Sequence, residues 1–223
     1  MFTTGGKWGV LGSTPMVKRG LSRDKLVALA HGYVAANGLD ALTMRRLAAA
    51  AQVSPGALYK HFRDRKDLQR AMADAIYATI DLDDIDTAHP SVDQVKLCCI
   101  RMRDAMLAFR DGGRIVADSY APFAATLKLS ATLMTLLQTI TVPPFSAGDI
   151  ALVLRTYTTG FVILEQAFVE LADADEWDAL VEAIGVTDYP RISDSDDAIA
   201  ILTGNRDQRF AAGLDTVLAG TTR

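Results

Sequence analysis

The sequence predicts an all-α protein in two parts, a small three-helix head and a larger helical body. Three observations predict it. Apolar residues recur at helical spacing through most of the chain, and no segment alternates with the period of two that a strand needs. Capping residues and Gly or Pro stops divide that pattern into helix-sized pieces. Charge divides the chain the same way. Residues 16–70 hold eleven Lys or Arg against four Asp or Glu, whereas residues 71–223 hold eleven against twenty-three. A basic head on an acidic body favours a polyanionic partner at the head alone.

Each element follows from local chemistry. Residues 1–15 are rich in Gly and Thr without period and read as disordered, and Met16 is an alternative start. Ser22 caps a first helix with Leu26, Ala30, Tyr33 and Val34 on one face, and Asn37-Gly38 stops it. Thr43 caps a second helix to about Ala50 with Leu47 inward. Gln52-Val53 makes a turn. Ser54 caps a third helix whose first position is Pro55, where a missing N–H costs nothing. Leu58 and Phe62 anchor it, leaving Tyr59, Lys60 and His61 off the inner face. Asp64 caps a fourth helix, with Leu68, Met72, Ala75 and Ile76 inward. Arg65 and Lys66 in its first turn have the wrong sign for the helix dipole, which a bound phosphate would reverse.

The acidic run Asp81–Asp86 lacks the glycine and distal glutamate of a calcium loop and reads as a solvated linker. From Ser91 a helix carries Val92, Val95, Cys99, Met102, Met106 and Phe109, broken by Asp111-Gly112-Gly113. A short helix to about Ser119 and a longer one over Ala121–Ile140 follow. Pro143-Pro144 ends the latter and Ser146 caps the next. The longest pattern, Asp149 to about Leu171, has a ridge of Val153, Tyr157, Phe161, Leu164 and Phe168. Residues 173–205 read as a mobile acidic segment with one short helix near Trp177–Ile184. A last helix, about Arg206–Leu218, presents Phe210, Leu214, Val217 and Leu218.

Half of the 223 residues are hydrophobic, enough for a core. No uninterrupted apolar run reaches the roughly 18 residues that span a bilayer, and the opening residues lack a secretory pattern, so a cytoplasmic protein without membrane partners is expected. Cys98 and Cys99 are adjacent and have no metal spacing, which suits buried packing better than a thiol sensor. An enzyme has little support. His31, His61 and His89 fall in separate segments, and no nucleophile–base motif or phosphate loop is present.

Two short helices at a tight turn inside the basic part suit a DNA groove. The run L-T-M-R-R-L-A (Leu42–Ala48), followed by V-S-P-G-A-L-Y-K-H-F (Val53–Phe62), resembles the TetR family of bacterial transcriptional regulators. The body is similar to the tetracycline-repressor branch in F-R-D-G-G-R-I-V (Phe109–Val116), T-G-F-V-I-L-E-Q-A (Thr159–Ala167) and Phe210–Leu214.

The resemblance implies a DNA-binding head at 16–70 and a ligand-binding and dimerisation domain at 71–223. It implies a homodimer on a near-palindromic double-stranded operator. Thr43, Ser54 and Arg65 would meet phosphates. Arg45, Pro55, Gly56 and Ala57 would face base edges, and Tyr59, Lys60 and His61 backbone or bases. Pro55, Gly56 and Lys60 depart from the tetracycline repressors, which points to a different operator. The branch's metal-linked positions are Val116 and Leu164 here, neither a ligand type, so no metal, cofactor or tetracycline–magnesium complex is expected.

A small, largely apolar effector would be lined by Met102, Met106, Phe109, Tyr120, Tyr157, Phe161, Leu164 and Phe168, with Glu165 as a polar anchor. The same residues at helical spacing also read as plain core. The leading expectation is an effector-released repressor, and the alternative is a DNA-binding regulator without effector. The helices at Asp149–Leu171 and Arg206–Leu218 would form the dimer's four-helix bundle, with Phe210 and Leu214 as buried contacts.

Overall fold

The computed structural model describes residues 21–119, 122–173, 176–185 and 204–222. The expectations for residues 1–15, Met16, Tyr120 and most of the acidic segment before residue 204 lie outside them. Ten helices are described: α1 Arg23–Asn37, α2 Met44–Ala50, α3 Pro55–Tyr59, α4 Arg65–Tyr77, α5 Val92–Leu107, α6 Gly112–Ala117, α7 Ala124–Ile140, α8 Ala147–Asp173, α9 Trp177–Gly185 and α10 Arg206–Leu218. No strand occurs among the described residues. The fold is all-α, as the sequence predicts.

The expected caps form. Ser22 Oγ accepts from the Lys25 amide, Thr43 Oγ1 from Arg46 and an Asp64 carboxylate oxygen from Asp67, each satisfying a helix-start amide that would otherwise lack a partner. Gly38 ends α1 at φ 78° and Gln52 takes φ 55° in the turn between α2 and α3. Ser54 stands at the cap position of α3, yet its hydroxyl makes no cap bond. The head core is Leu26, Val34, Leu47, Leu58, Phe62 and Met72, all essentially inaccessible.

α4 joins the two parts. It packs on α1 on one side and on α5, α6 and α7 on the other. A boundary at residue 70 therefore falls inside a continuous helix. The acidic connection after α4 keeps its four carboxylates exposed, as expected, but is also docked: Leu82 and Ile85 are buried, and Asp84 and Asp83 pair with Arg101 and Lys128. Two apolar residues among the acids hold it to the body.

Four further expectations change. Gly112-Gly113 opens α6 rather than merely breaking α5, with Asp111 in the left-handed region at φ 58° before it. α7 begins at Ala124, not Ala121. α8 buries Ile150, Leu154, Thr158 and Val162, whereas Val153 and Leu164 of the expected ridge are exposed. A helix apolar on several sides gives no single periodicity, so side-chain size alone misplaces its inward face. α8 also reaches a mean hydropathy of 1.3, long and apolar enough to cross a bilayer, although Arg155 and Glu165 interrupt the run. Finally, Phe210 and Leu214 are buried within their own chain, where Phe210 packs on Tyr157 and Phe161.

Candidate nucleic-acid interface and body cavity

The head presents its reading residues outward. Leu58 and Phe62 lock α3 into the core, so the intervening Tyr59 stands 54% exposed beside the exposed Lys60. Thr43, Arg45, Ser54, Pro55, Gly56 and Arg65 are exposed, and Ala57 and His61 are half-buried. All ten sequence-predicted DNA residues thus reach solvent. Arg45 and Lys60 have no hydrogen-bond or ion-pair partner among the described residues. Other cations are committed: Arg46 donates to the Ala41 carbonyl and Arg65 to the Leu39 carbonyl. Arg65 thereby braces the loop before α2 while keeping further N–H groups exposed.

One residue that matters here, Asp67, is missed by the sequence analysis. Asp67 is 7% exposed and accepts from Arg23 at 2.9 Å and from the Arg63 amide at 3.0 Å. Arg23 also donates to the His61 carbonyl and lies over the Phe62 ring. Burial works to raise the Asp67 carboxyl, but its hydrogen bonds and the Arg23 and Arg63 charges hold it below the usual carboxylate range. This knot fixes the end of the reading helix against α1 and α4. Its sequence signal is an Asp three residues after a cap, inside a basic run.

The turn between α5 and α6 grips the head from the body side. One Asp111 carboxylate oxygen accepts the Leu39 amide at 2.8 Å; the other accepts Arg114 at 2.9 Å. Arg114 also reaches Asp40 at 2.7 Å, and Arg110 donates to the Ala35 carbonyl. The hydrogen bond to Asp40 leads in raising the Arg114 pKa, and the reciprocal bond leads in lowering that of Asp40. Gln166 of α8 accepts from the Gly113 amide and donates to the Phe109 carbonyl, tying α8 to the same turn.

The sequence-predicted effector residues do not gather at one place. Met102 and Met106 are wholly buried. Phe109 packs against His31 of the head at 4.6 Å. Tyr157 stacks on Phe210, Phe161 packs tilted against the same ring, and Phe168 lies near Arg206. Leu164 is 60% exposed. Both Glu165 carboxylate oxygens are held by Arg103, at 2.8 and 2.9 Å, and Arg103 also pairs with Asp207 at 2.8 Å. An anchor already so engaged is a poor receptor for a ligand. Tyr120 lies outside the described residues.

Two concavities among the described residues bear on the effector. An open cleft of about 1080 Å³ between α1 and α4, bordered by Phe109 and Phe123, is walled by several alanines together with Arg23, Asp24, His31 and Asp74. A smaller cavity of about 150 Å³ lies in the body among α4, α5, α7 and α8, and of the predicted set only Met102 reaches it. Tyr77, Thr126 and Arg155 supply its polar edge, and none of these was singled out from the sequence. Cys98 and Cys99 are buried, with thiols pushed up by burial to about 11 and about 12, which suits packing rather than redox chemistry. No cluster of metal-ligand types occurs among the described residues.

Comparison with known proteins agrees with this architecture. Residues 26–72 match the family described as bacterial regulatory proteins, tetR family, and residues 91–223 match the tetracyclin repressor-like C-terminal domain. The chain is 31% identical to the class C tetracycline repressor of Escherichia coli over 90% of each protein. It is 36% identical to the class A repressor of transposon 1721 over 58% of this chain and 60% of that protein. A possible TetR family regulator of Streptomyces coelicolor A3(2) superposes with a TM-score of 0.74 at 30% identity, covering 89% of this chain and 98% of that one. Streptomyces coelicolor ActR, in complex with actinorhodin, superposes at 0.75 with 26% identity over 90% and 96%. The exposed helix-turn-helix, the body shape and these likenesses converge: the chain belongs to the TetR family of DNA-binding transcriptional regulators, with a tetracycline-repressor-like C-terminal domain.

Proposed function

We propose that the protein is a homodimeric, cytoplasmic repressor whose heads occupy successive major grooves of a near-palindromic operator and leave it when a small effector binds the body. The observation that carries this is the reading helix: locked inward by Leu58 and Phe62, it presents Tyr59 and Lys60, with Arg45 beside it. Arg suits bidentate contact with guanine, and Lys60 suits phosphate. Thr43, Ser54 and Arg65 join the phosphate contacts, while Pro55, Gly56, Ala57 and His61 shape the approach. Residues 16–70 serve as the head and 71–223 as the effector and dimer domain, with α4 shared between them.

The dimer reading draws on α8. Leu152, Val153, Thr156, Leu164 and Ala167 stand exposed on a helix otherwise packed in the body. A second copy covering that stripe would bury it and set the separation of the heads, about 34–36 Å for one helical turn. An effector that prefers a different separation weakens DNA binding by its differential affinity. Actinorhodin in the ActR complex is the parallel for a small-molecule ligand. Val116 and Leu164 offer no metal ligation, so the effector is metal-free and no cofactor or catalytic activity is assigned.

The test is binding to DNA spanning the protein's own promoter at several salt concentrations. Lys60→Ala should weaken binding to all sequences and flatten the salt slope by about one unit. Arg45→Ala should cost roughly 1–3 kcal/mol at one base pair only. If both variants bind like the parent, the docking is wrong.

A further inference from the structure

We propose that the α4–α5–α7–α8 cavity takes a small amphipathic monocarboxylate, its carboxylate held by the Tyr77 hydroxyl and the Arg155 guanidinium and its apolar part by Met102, Leu129 and Leu133. The proposal deepens the effector reading above and rests on it.

The cavity's polar edge is rich in donors. The Tyr77 side chain is at the last turn of α4, 4% exposed, and its O–H finds no acceptor among the described residues. A buried O–H without an acceptor costs about 1–3 kcal/mol, so the site gains by receiving one. Arg155, from α8, borders the same space and donates through one nitrogen to the Ser119 carbonyl at 3.1 Å. Its guanidinium lies beside the phenol, where its charge and a side-chain hydrogen bond partly offset the burial that raises the Tyr77 pKa. Thr126 adds no free donor to this edge, because its hydroxyl and amide both donate to Asp74 at 2.8 Å. Two donors, one of them cationic, facing apolar side chains select a ligand with an anionic head and an apolar body.

Size narrows the class. About 150 Å³ suits a single ring or a short chain and excludes a fused polycycle without rearrangement. The cavity reaches the surface beside the exposed Ser130, so a ligand has a route inward. The site also touches the moving part directly. Tyr77 belongs to α4, and Asp74 one turn earlier is bonded to Thr126 on the cavity wall. A carboxylate that draws Tyr77 and Arg155 together pulls on the helix that carries the head.

Calorimetric titration of the full-length chain without DNA, using benzoate and hexanoate against benzyl alcohol and hexanol, tests the site. The expected result is saturable binding of at least one carboxylate, with its alcohol counterpart at least tenfold weaker. Tyr77→Phe, which keeps the ring, and Arg155→Met should each weaken the carboxylate at least tenfold. Operator binding by each variant confirms that it is folded. No carboxylate binding by a parent that still binds DNA overturns the proposal. Equal binding of acids and alcohols does so too, as do folded variants that bind like the parent. Carboxylate binding that leaves operator affinity unchanged instead overturns the effector reading while the site stands.

Discussion

The head and the body bury their helices to different degrees. In the head, every large inward side chain meets another within the chain, and the cations that remain free point away from the core. In the body, α8 is apolar on several sides but only the Ile150–Leu154–Thr158–Val162 face is fully covered, and the Arg103–Glu165 pair is drawn into the packing. The head is complete as a single copy, and the body leaves an apolar stripe for another surface. A regulator needs that contrast: a reading unit that stays one shape, and a controlling unit whose packing has alternatives.

The largest expected effect lies where the body is tightest. A Cβ on Gly112 would overlap the Met106 carbonyl, which is backbone and cannot rotate away. Gly112→Ala should cost about 3 kcal/mol or more, read as a large drop in the thermal midpoint or as insolubility. Next comes the buried charge. Arg103→Met leaves the Glu165 carboxylate without its main partner and should cost about 3 kcal/mol in urea unfolding; adding Glu165→Gln should restore much of it.

Acid sharpens the comparison at the seam. Burial holds the His31 imidazole down at about 4 against an ordinary 6.5, only partly offset by its hydrogen bond to the Met72 carbonyl. The unfolded chain therefore takes up a proton that the folded one refuses. The contribution of neutral His31 is complete above pH 6.5 and is lost as pH falls towards 4, about 3 kcal/mol in all. Urea midpoints measured across that window should fall less steeply for His31→Phe. The smallest effect is a gain. Gly32 lies inside α1, and a Cβ there meets nothing within 4 Å. Gly32→Ala should stabilise the chain by roughly 0.5–1 kcal/mol, the opposite sign to Gly112→Ala.

The head was legible because its signals are local. Ser22, Thr43, Asp64 and Pro55 each act within one turn, and Leu58 with Phe62 fixes which way Tyr59 and Lys60 face. The body resisted reading because its decisive contacts are distant in sequence. Asp111 to Leu39, Arg103 to Asp207 and Arg155 to Ser119 have no local signature. The large aromatics Tyr157 and Phe161 suggest pocket lining, yet they pack on Phe210, while the buried hydroxyl of Tyr77 has no sequence signature. Size marks candidates for burial; a buried O–H without an acceptor, as at Tyr77, marks a candidate for binding.

Gly112 and Gly113 also matter mechanically. At Gly112 the α6 backbone lies against Met106, and at Gly113 it lies against Ile163 of α8, about 3.0 Å from where a Cβ would be. Most helix contacts are cushioned by side chains that can change rotamer and absorb a displacement. At these two joints α6 contributes no side chain that could give way, so they behave like gear teeth cut with little play. A slide of α8 along its axis must become a motion of α6, and through Asp111 and Leu39 a motion of the head. The missing side chains set the fidelity of the transmission.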